Sequence, residues 1–274
     1  MAQFGHGKGT IYGGCSEYFI VKEIYCYRLR TNISWKEAAL LEPLGVAHNA
    51  IEQVETIEGE VGKKKKKEYT VDTIFLNYCC HYCDCKVGER IRIAVAKALG
   101  CRKVIASDVL PWKLELAKKM GADELINVQE QDLKTEVMKL TNGIGVQAMI
   151  ECSGISEVTN MSFSLLRKGG HIVLVGLPKQ PLHVENVLKN MYIIHVLQKK
   201  KKKKTDVIFK SLQLRTIHGR RIFHTWKEVE KLIAEGKIPT SLVVSHYLPL
   251  SEWKKGYDAL LSGEACKVLF DPTL

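Results

Sequence analysis

No run of about eighteen apolar residues, the length a membrane-spanning helix needs, occurs anywhere in this chain of 274 residues. No secretory leader is expected either: Met1–Gly14 is glycine-rich and has no apolar stretch of the kind a signal peptide carries. Nor is there a disulfide framework. The nine cysteines are odd in number, the chain is long, and nothing directs it to an oxidising compartment, so reduced thiols in the cytoplasm are expected. A general basic character is absent despite a net charge of +11, because Lys63–Lys67 and Lys199–Lys204 carry all of that excess. The rest of the chain is balanced, which excludes a general affinity for nucleic acid or for a membrane surface. The two runs read either as localisation or nucleic-acid tails or as solvated loops, and neither has interleaved aromatic residues to favour the first.

Apolar residues make up 46% of the chain and charged ones 26%, enough to fill a core and too few charges for a disordered chain. From Cys101 onward short β-rich runs alternate with helical ones. Lys103–Asp108 is a strand, and Pro111 opens a helix that Gly121 closes. Leu125–Asn127, Val146–Cys152 and His171–Val175 are further strands, separated by helices over Asp132–Leu140 and Ser156–Leu166. This alternation predicts a parallel sheet covered by helices on both faces, a doubly wound α/β fold. Leu212–Ile217 is a strand, Thr225–Ala234 a helix and Leu242–His246 a strand. Ser251–Leu261 is a helix with Ser251 as N-cap, and Lys267–Phe270 a closing strand. Ahead of these, Cys15–Val21 is strand-like, Trp35–Leu41 a short helical turn and Pro43–Glu55 a helix. Two segments interrupt the pattern. Gly62–Lys86 and Met191–Val207 each join polylysine to a β-prone patch.

Asp108 ends its strand where an acid can accept hydrogen bonds from the ribose hydroxyls of NAD and repel the 2′-phosphate of NADP. The same residue also reads as a turn aspartate ahead of Pro111. The glycine loop that should accompany a dinucleotide site is not there. Val87–Ile93 runs straight into a helix over Ile93–Leu99 with one glycine, and only Arg90 and Arg92 could offer charge to a phosphate. Cys79, Cys80, His81, Cys83 and Cys85 crowd soft ligands together, suited to zinc but without a second knuckle, so a metal site and an unstructured segment both stand. Glu42 and His48 allow a metal or acid–base pair; the plainer reading is an acid at a helix N-terminus and a partly exposed histidine.

Several stretches resemble the zinc-type medium-chain dehydrogenase/reductase superfamily. Gly13-Gly-Cys-Ser-Glu-Tyr18 resembles its G-G-x-A-E-Y strand, and Ala38-Ala-Leu-Leu-Glu-Pro-Leu44 its A-A-x-x-E-P-L turn. Ala94–Gly100 with Val104–Asp108 is similar to the first helix and second strand of its Rossmann domain. Glu151–Gly154 and Val173–Leu177 are similar to the strand ends that face the nicotinamide ribose and carboxamide. His218–Trp226 is most like the L-threonine 3-dehydrogenase branch, with sorbitol-type enzymes as the nearest rival. The resemblance covers roughly residues 10–60, 87–190 and 208–274.

It implies an NAD-binding Rossmann domain over 87–240, with an insertion at 191–207, preceded by a remnant of a GroES-like β domain and linking helix at 1–61 and an insertion at 62–86. Residues 241–274 would return to the catalytic side as strand, helix and strand. Cofactor contacts are implied at Asp108, Cys152, Ser153, Val175, Gly176, Leu177 and Arg220, and Glu42 corresponds to a zinc-proximal carboxylate. The implied reaction is NAD-dependent oxidation of a small secondary alcohol in the cytoplasm, with no nucleic-acid or membrane partner and with a homo-oligomer as one possible assembly. The family's other zinc ligands have no counterpart here: His6 mimics a G-H-E motif but stands 36 residues before Glu42, too close. The alternative is therefore an inactive fragment or paralogue, a binding or oligomerisation subunit, or the product of a faulty gene model, since both lysine-led segments resemble translated non-coding sequence.

Overall fold

The computed structural model describes residues 14–55, 71–77, 91–176 and 210–274. Six parallel strands form one sheet: β1 (Thr73–Asn77), β2 (Lys103–Asp108), β3 (Glu124–Asn127), β4 (Val146–Glu151), β5 (Leu166–Leu174) and β6 (Gln213–Thr216), in the order β3-β2-β1-β4-β5-β6. The expected doubly wound α/β fold is what forms. Successive residues of each strand face opposite ways, so Ile74 and Leu76 join one apolar cluster while Phe75 joins the other. Val104 and Ala106 against Ile105, and Ile150 against Met149, continue the same division along β2 and β4. A parallel sheet must be covered on both sides. On one side lie α2 (Leu41–Glu55), α3 (Ile91–Ala98), α4 (Pro111–Lys119) and α7 (His224–Ala234); on the other, α5 (Leu133–Leu140) and α6 (Ser156–Leu165).

The central strand corrects the sequence expectation. Thr73–Asn77 lies inside the segment 62–86 taken for an insertion, yet it pairs with β2 from Lys103 to Ser107 and with β4 from Ala148 to Glu151. Its run of Thr-Ile-Phe-Leu is β-prone and apolar on both faces, as a central parallel strand requires. Two neighbours of opposite character, the lysine run and the cysteine cluster, hide that signal. The helix expected from Ile93 starts two residues earlier, at Ile91, which puts Arg92 on α3. Cys15–Val21 forms no strand, and Tyr18 and Ile20 stand 90% and 96% exposed.

α1 (Trp35–Ala38) begins with a capping box, Ser34 Oγ accepting from the Glu37 N–H and Glu37 returning to the Ser34 N–H. Pro43 is tolerated in the first turn of α2, whose buried Leu44, Ala47, Ile51 and Val54 form one face. A Cβ on Gly45 would stand 3.1 Å from Thr225 Oγ1 and from Trp226 Cδ1, so a larger residue there would press on the side chains of α7. The C-terminal segment is a helical turn α8 (Thr240–Val243), strands β7 (Val244–Pro249) and β8 (Lys267–Asp271) paired in parallel, and α9 (Trp253–Ser262) between them. The strand expected from Leu242 thus starts two residues later. Ser251 is not an N-cap: it lies within a 3-10 turn, Leu250–Glu252, that feeds directly into α9.

Glu230 of α7 fastens the N-terminal segment to this framework. Its buried carboxylate accepts from Tyr27 Oη at 2.6 Å, from the Arg30 and Thr31 N–H groups at 2.5 and 2.7 Å, and from Thr31 Oγ1 at 2.8 Å. Burial pushes its pKa up, but these hydrogen bonds outweigh burial and hold it below the ordinary carboxylate value. Burial and the same carboxylate raise the Tyr27 phenol to about 12. A carboxylate with a depressed folded pKa stabilises the fold above its unfolded pKa, and that contribution is lost as pH falls through the folded one. Replacing Glu230→Gln should therefore cost about 1.5–3 kcal/mol at pH 7, the range for hydrogen bonds to a charged group. Urea unfolding should show the deficit shrinking toward pH 3. A deficit independent of pH would mean that packing, not charge, fastens the segment.

Candidate functional site

Parallel sheets of this order bind ligands outside the carboxyl ends of the strands, where the chain reverses its winding direction. Here that point lies between β1 and β4. Asp108 closes β2 at this edge and is 2% exposed. Its Oδ1 accepts the Leu110 N–H at 2.9 Å, so it does serve the turn into α4, and its Oδ2 lies 3.9 Å from Lys113 Nζ. Lys113 is itself largely buried, in the first turn of α4. A carboxylate beside an ammonium offers both an acceptor and a donor to a vicinal diol. Lys113 was not anticipated; its signal is a lysine five residues after the acid, opening the next helix.

Cys152, Ser153, Val175 and Gly176 come together beyond the ends of β4 and β5. The Glu151 carbonyl accepts from the Val175 N–H at 2.9 Å and the Gly176 N–H at 3.2 Å. The Glu151 side chain turns back to accept from the Ser153 N–H at 2.6 Å, from Ser153 Oγ and from the Gly154 N–H at 3.3 Å. Ser153 Oγ in turn accepts from the Ile155 N–H at 3.1 Å. Glu151 is thus the organiser of this corner, a role its place at the end of an apolar strand gave no sign of. A Cβ on Gly176 would fall 2.3 Å from Gly154 N and 2.7 Å from the Cys152 carbonyl carbon and oxygen, so the two loops can only meet at a glycine. Leu177 lies outside the described residues.

Glu42 and Arg220 meet at the N-terminal end of α2. The far end of that helix lies over β5 and β6, where the Val54 carbonyl contacts His171 Nδ1 at 2.9 Å and the Gln53 carbonyl accepts from Arg215 Nη1 at 3.0 Å, while Arg220 follows the carboxyl end of β6. Running against the strands, α2 brings Glu42 to the same edge as Asp108 and Cys152. There Arg220 Nη1 pairs with Glu42 Oε1 at 2.8 Å and the guanidinium lies 5.4 Å from the Trp226 ring centre. His48 is not the partly exposed residue expected: it is fully buried, and its Nδ1 lies 3.5 Å from Glu52 Oε2, with Arg221 and His224 on the same carboxylate.

The zinc expectation meets a poor donor set. A catalytic zinc takes three protein ligands. Among the described residues no group of three or more His, Cys, Asp or Glu side chains is placed to hold a metal, and Glu42 is already engaged by a guanidinium. His6 and the Cys79–Cys85 cluster, like both lysine runs and Arg90, lie outside the described residues. A dinucleotide fits better: the acid at the end of β2 and the close corner at Gly176 suit a ribose and a flat ring. An open depression of about 490 Å³ lies elsewhere, lined by Cys26–Arg30 and Phe223 and by none of the residues expected to bind cofactor.

Residues 90–235, more than half of the chain, match the sequence profile of the Zinc-binding dehydrogenase family. The chain belongs to this family. L-threonine 3-dehydrogenase of Bacillus licheniformis is 32% identical over 180 residues, 66% of this chain and 47% of that enzyme. The dehydrogenase fold recurs in an alcohol dehydrogenase from Thermus sp. ATN1, with a TM-score of 0.76 at 24% identity over 97% of this chain and 68% of that one. It recurs also in an Escherichia coli alcohol dehydrogenase solved with NADH, TM-score 0.68 at 19% identity, covering 89% and 61%. The chain spans about half the length of the curated relative it matches. No helix among the described residues is long and apolar enough to cross a membrane.

Gly176 tests the corner directly. Gly176→Ala forces a methyl into backbone, and overpacking of this kind costs about 1–3 kcal/mol or more. The variant should melt several degrees lower, with amide exchange accelerated at Gly154 and Val175. Unchanged exchange at those amides would show that the two loops do not depend on each other.

Proposed function

We propose that this chain is the dinucleotide-binding part of an NAD-dependent, zinc-type dehydrogenase that oxidises a small secondary alcohol of the threonine or polyol kind. The observation that carries this reading is Asp108 with Lys113 at the end of β2, facing the same edge as the Glu151-organised corner. Asp108 would accept from the ribose hydroxyls while Lys113 donates to one of them. The corner at Cys152, Ser153, Val175 and Gly176 would seat the nicotinamide and its ribose, with Arg220 at its margin. When bound, NAD supplies the hydride acceptor; the residues of this chain orient it and keep water from its face. Substrate class follows the names of the relatives. Residues 1–61 and 241–274 are assigned to the catalytic side of the molecule and 87–240, with β1 added, to the cofactor side. A cytoplasmic setting belongs to the same reading, from the odd number of cysteines in the sequence.

A second reading has its own support. The Glu42–Arg220 pair and the absence of a three-ligand group among the described residues suit a catalytically inactive binding or homo-oligomeric subunit. Measuring NADH formation with L-threonine, sorbitol and 2,3-butanediol separates the two. Turnover abolished by a chelator favours the enzyme; nucleotide binding without turnover favours the inactive subunit.

Calorimetric titration tests the cofactor site itself. NAD should bind in preference to NADP, because a 2′-phosphate beside Asp108 meets like-charge repulsion of about 1 kcal/mol or more. Asp108→Ala should weaken NAD about tenfold or more, since hydrogen bonds to a charged acceptor contribute about 1.5–3 kcal/mol each. Equal affinities for both nucleotides, unchanged by the substitution, would reduce Asp108 to a turn residue.

A further inference from the structure

Arg92 is the second residue of α3 and only 3% exposed, although its neighbours Ile91, Ile93, Ala94 and Val95 belong to the apolar core. Its Nε and Nη1 are buried without a hydrogen-bond partner, and among the described residues no carboxylate pairs with it. A guanidinium cannot discharge itself by losing its proton, so an uncompensated one in such a place is a cation awaiting an anion.

Its place in the fold says where that anion would come from. α3 ends beside the start of β2, the Cys101 N–H donating to the Ala96 carbonyl at 3.0 Å and Lys97 Nζ to the Arg102 carbonyl at 3.2 Å. The helix therefore begins at the opposite edge of the sheet, beyond the end of β1 and next to the switch point. Its first N–H groups lack intrahelical partners and carry the positive end of the dipole. Helical side chains lean toward the N-terminus, which carries the Arg92 guanidinium toward that same end. Two independent positive features thus converge there. Between β1 and α3 the sequence Tyr78–Arg90 has a single glycine, Gly88, so the usual close-fitting backbone cradle has no residues to form it.

We propose that Arg92 binds the pyrophosphate of the dinucleotide, its side-chain fork doing by charge pairing what a glycine loop does with backbone N–H groups. The dinucleotide part rests on the NAD reading above; the phosphate part does not. A planar guanidinium matches two phosphate oxygens at once, and a charge-paired site of this kind is weakened by salt.

Inorganic pyrophosphate and NAD are titrated separately into the full chain and into Arg92→Met and Arg92→Lys, at low and at physiological ionic strength, with melting temperatures of the ligand-free proteins alongside. Pyrophosphate should bind the wild type at low salt, at least tenfold more weakly to Arg92→Met, and to Arg92→Lys in between. Ligand-free Arg92→Met should melt no lower than the wild type, because it loses an unpaired charge and no interaction; a purely structural arginine would lower it. If Arg92→Met does not fold, the loss of affinity in Arg92→Lys carries the test alone. Pyrophosphate binding that is absent from the wild type, or equal in all three proteins, overturns the proposal. Arg92-dependent pyrophosphate binding without NAD binding sustains it and overturns the dinucleotide reading instead.

Discussion

β2 and β4 never touch; each hydrogen-bonds to β1, and only through Thr73–Asn77 do the two halves of the sheet become one. A parallel strand in that position has its backbone groups satisfied on both edges and its side chains buried on both faces. Ile74, Phe75 and Leu76 are all fully buried, and through them the two apolar clusters share a common floor. Without this strand the ends of β2 and β4 would have no fixed separation. The crevice in which Asp108 and the Glu151 corner face each other would have no width.

Around this floor the chain uses carboxylates as fasteners more than as reactive groups. Glu230 fixes the segment at Tyr27–Thr31, Glu151 its own loop and that of β5, and Glu52 ties α2 to the stretch that carries Arg221 and His224. Glu37 caps α1 and accepts from Thr240 Oγ1 at 3.3 Å, joining the first helix to the last segment. Each is buried or half-buried and surrounded by donors, which is how an interior tolerates a negative charge. Arg92 is the contrasting case, a buried cation without such a partner.

Most of the Rossmann half was legible because its signals are local. Pro111 and Gly121 bracket α4, Asp132 caps α5 by accepting from the Thr135 N–H at 2.9 Å, and apolar β-rich runs mark β2 and β4. What failed were elements whose meaning depends on a distant partner. Thr73–Asn77 is a strand because β2 and β4 flank it, and Cys15–Val21 pairs with no strand among the described residues. In the site, Asp108, Cys152, Ser153 and Gly176 were legible as strand-end residues of a recognisable family pattern. Lys113 and the organising role of Glu151 were not, and Arg92, legible as a charge for a phosphate, gave no sign of its burial, since a side chain's partner or lack of one is a property of the folded molecule. His48 misled for the same reason: helix periodicity gives its face, not the neighbouring Glu52 that accompanies it into the core.

The Glu230 fastening also orders events in time. Arg30 and the carboxylate that receives its N–H are 200 residues apart in sequence. On a ribosome adding about 5–20 residues per second, the N-terminal segment waits about 10–40 s before the residue that secures it exists. During that interval Tyr27 and Thr31 lack the Glu230 carboxylate that accepts their hydroxyl hydrogen bonds. The segment at Arg30, made 200 residues ahead of its acceptor, is thus fastened late.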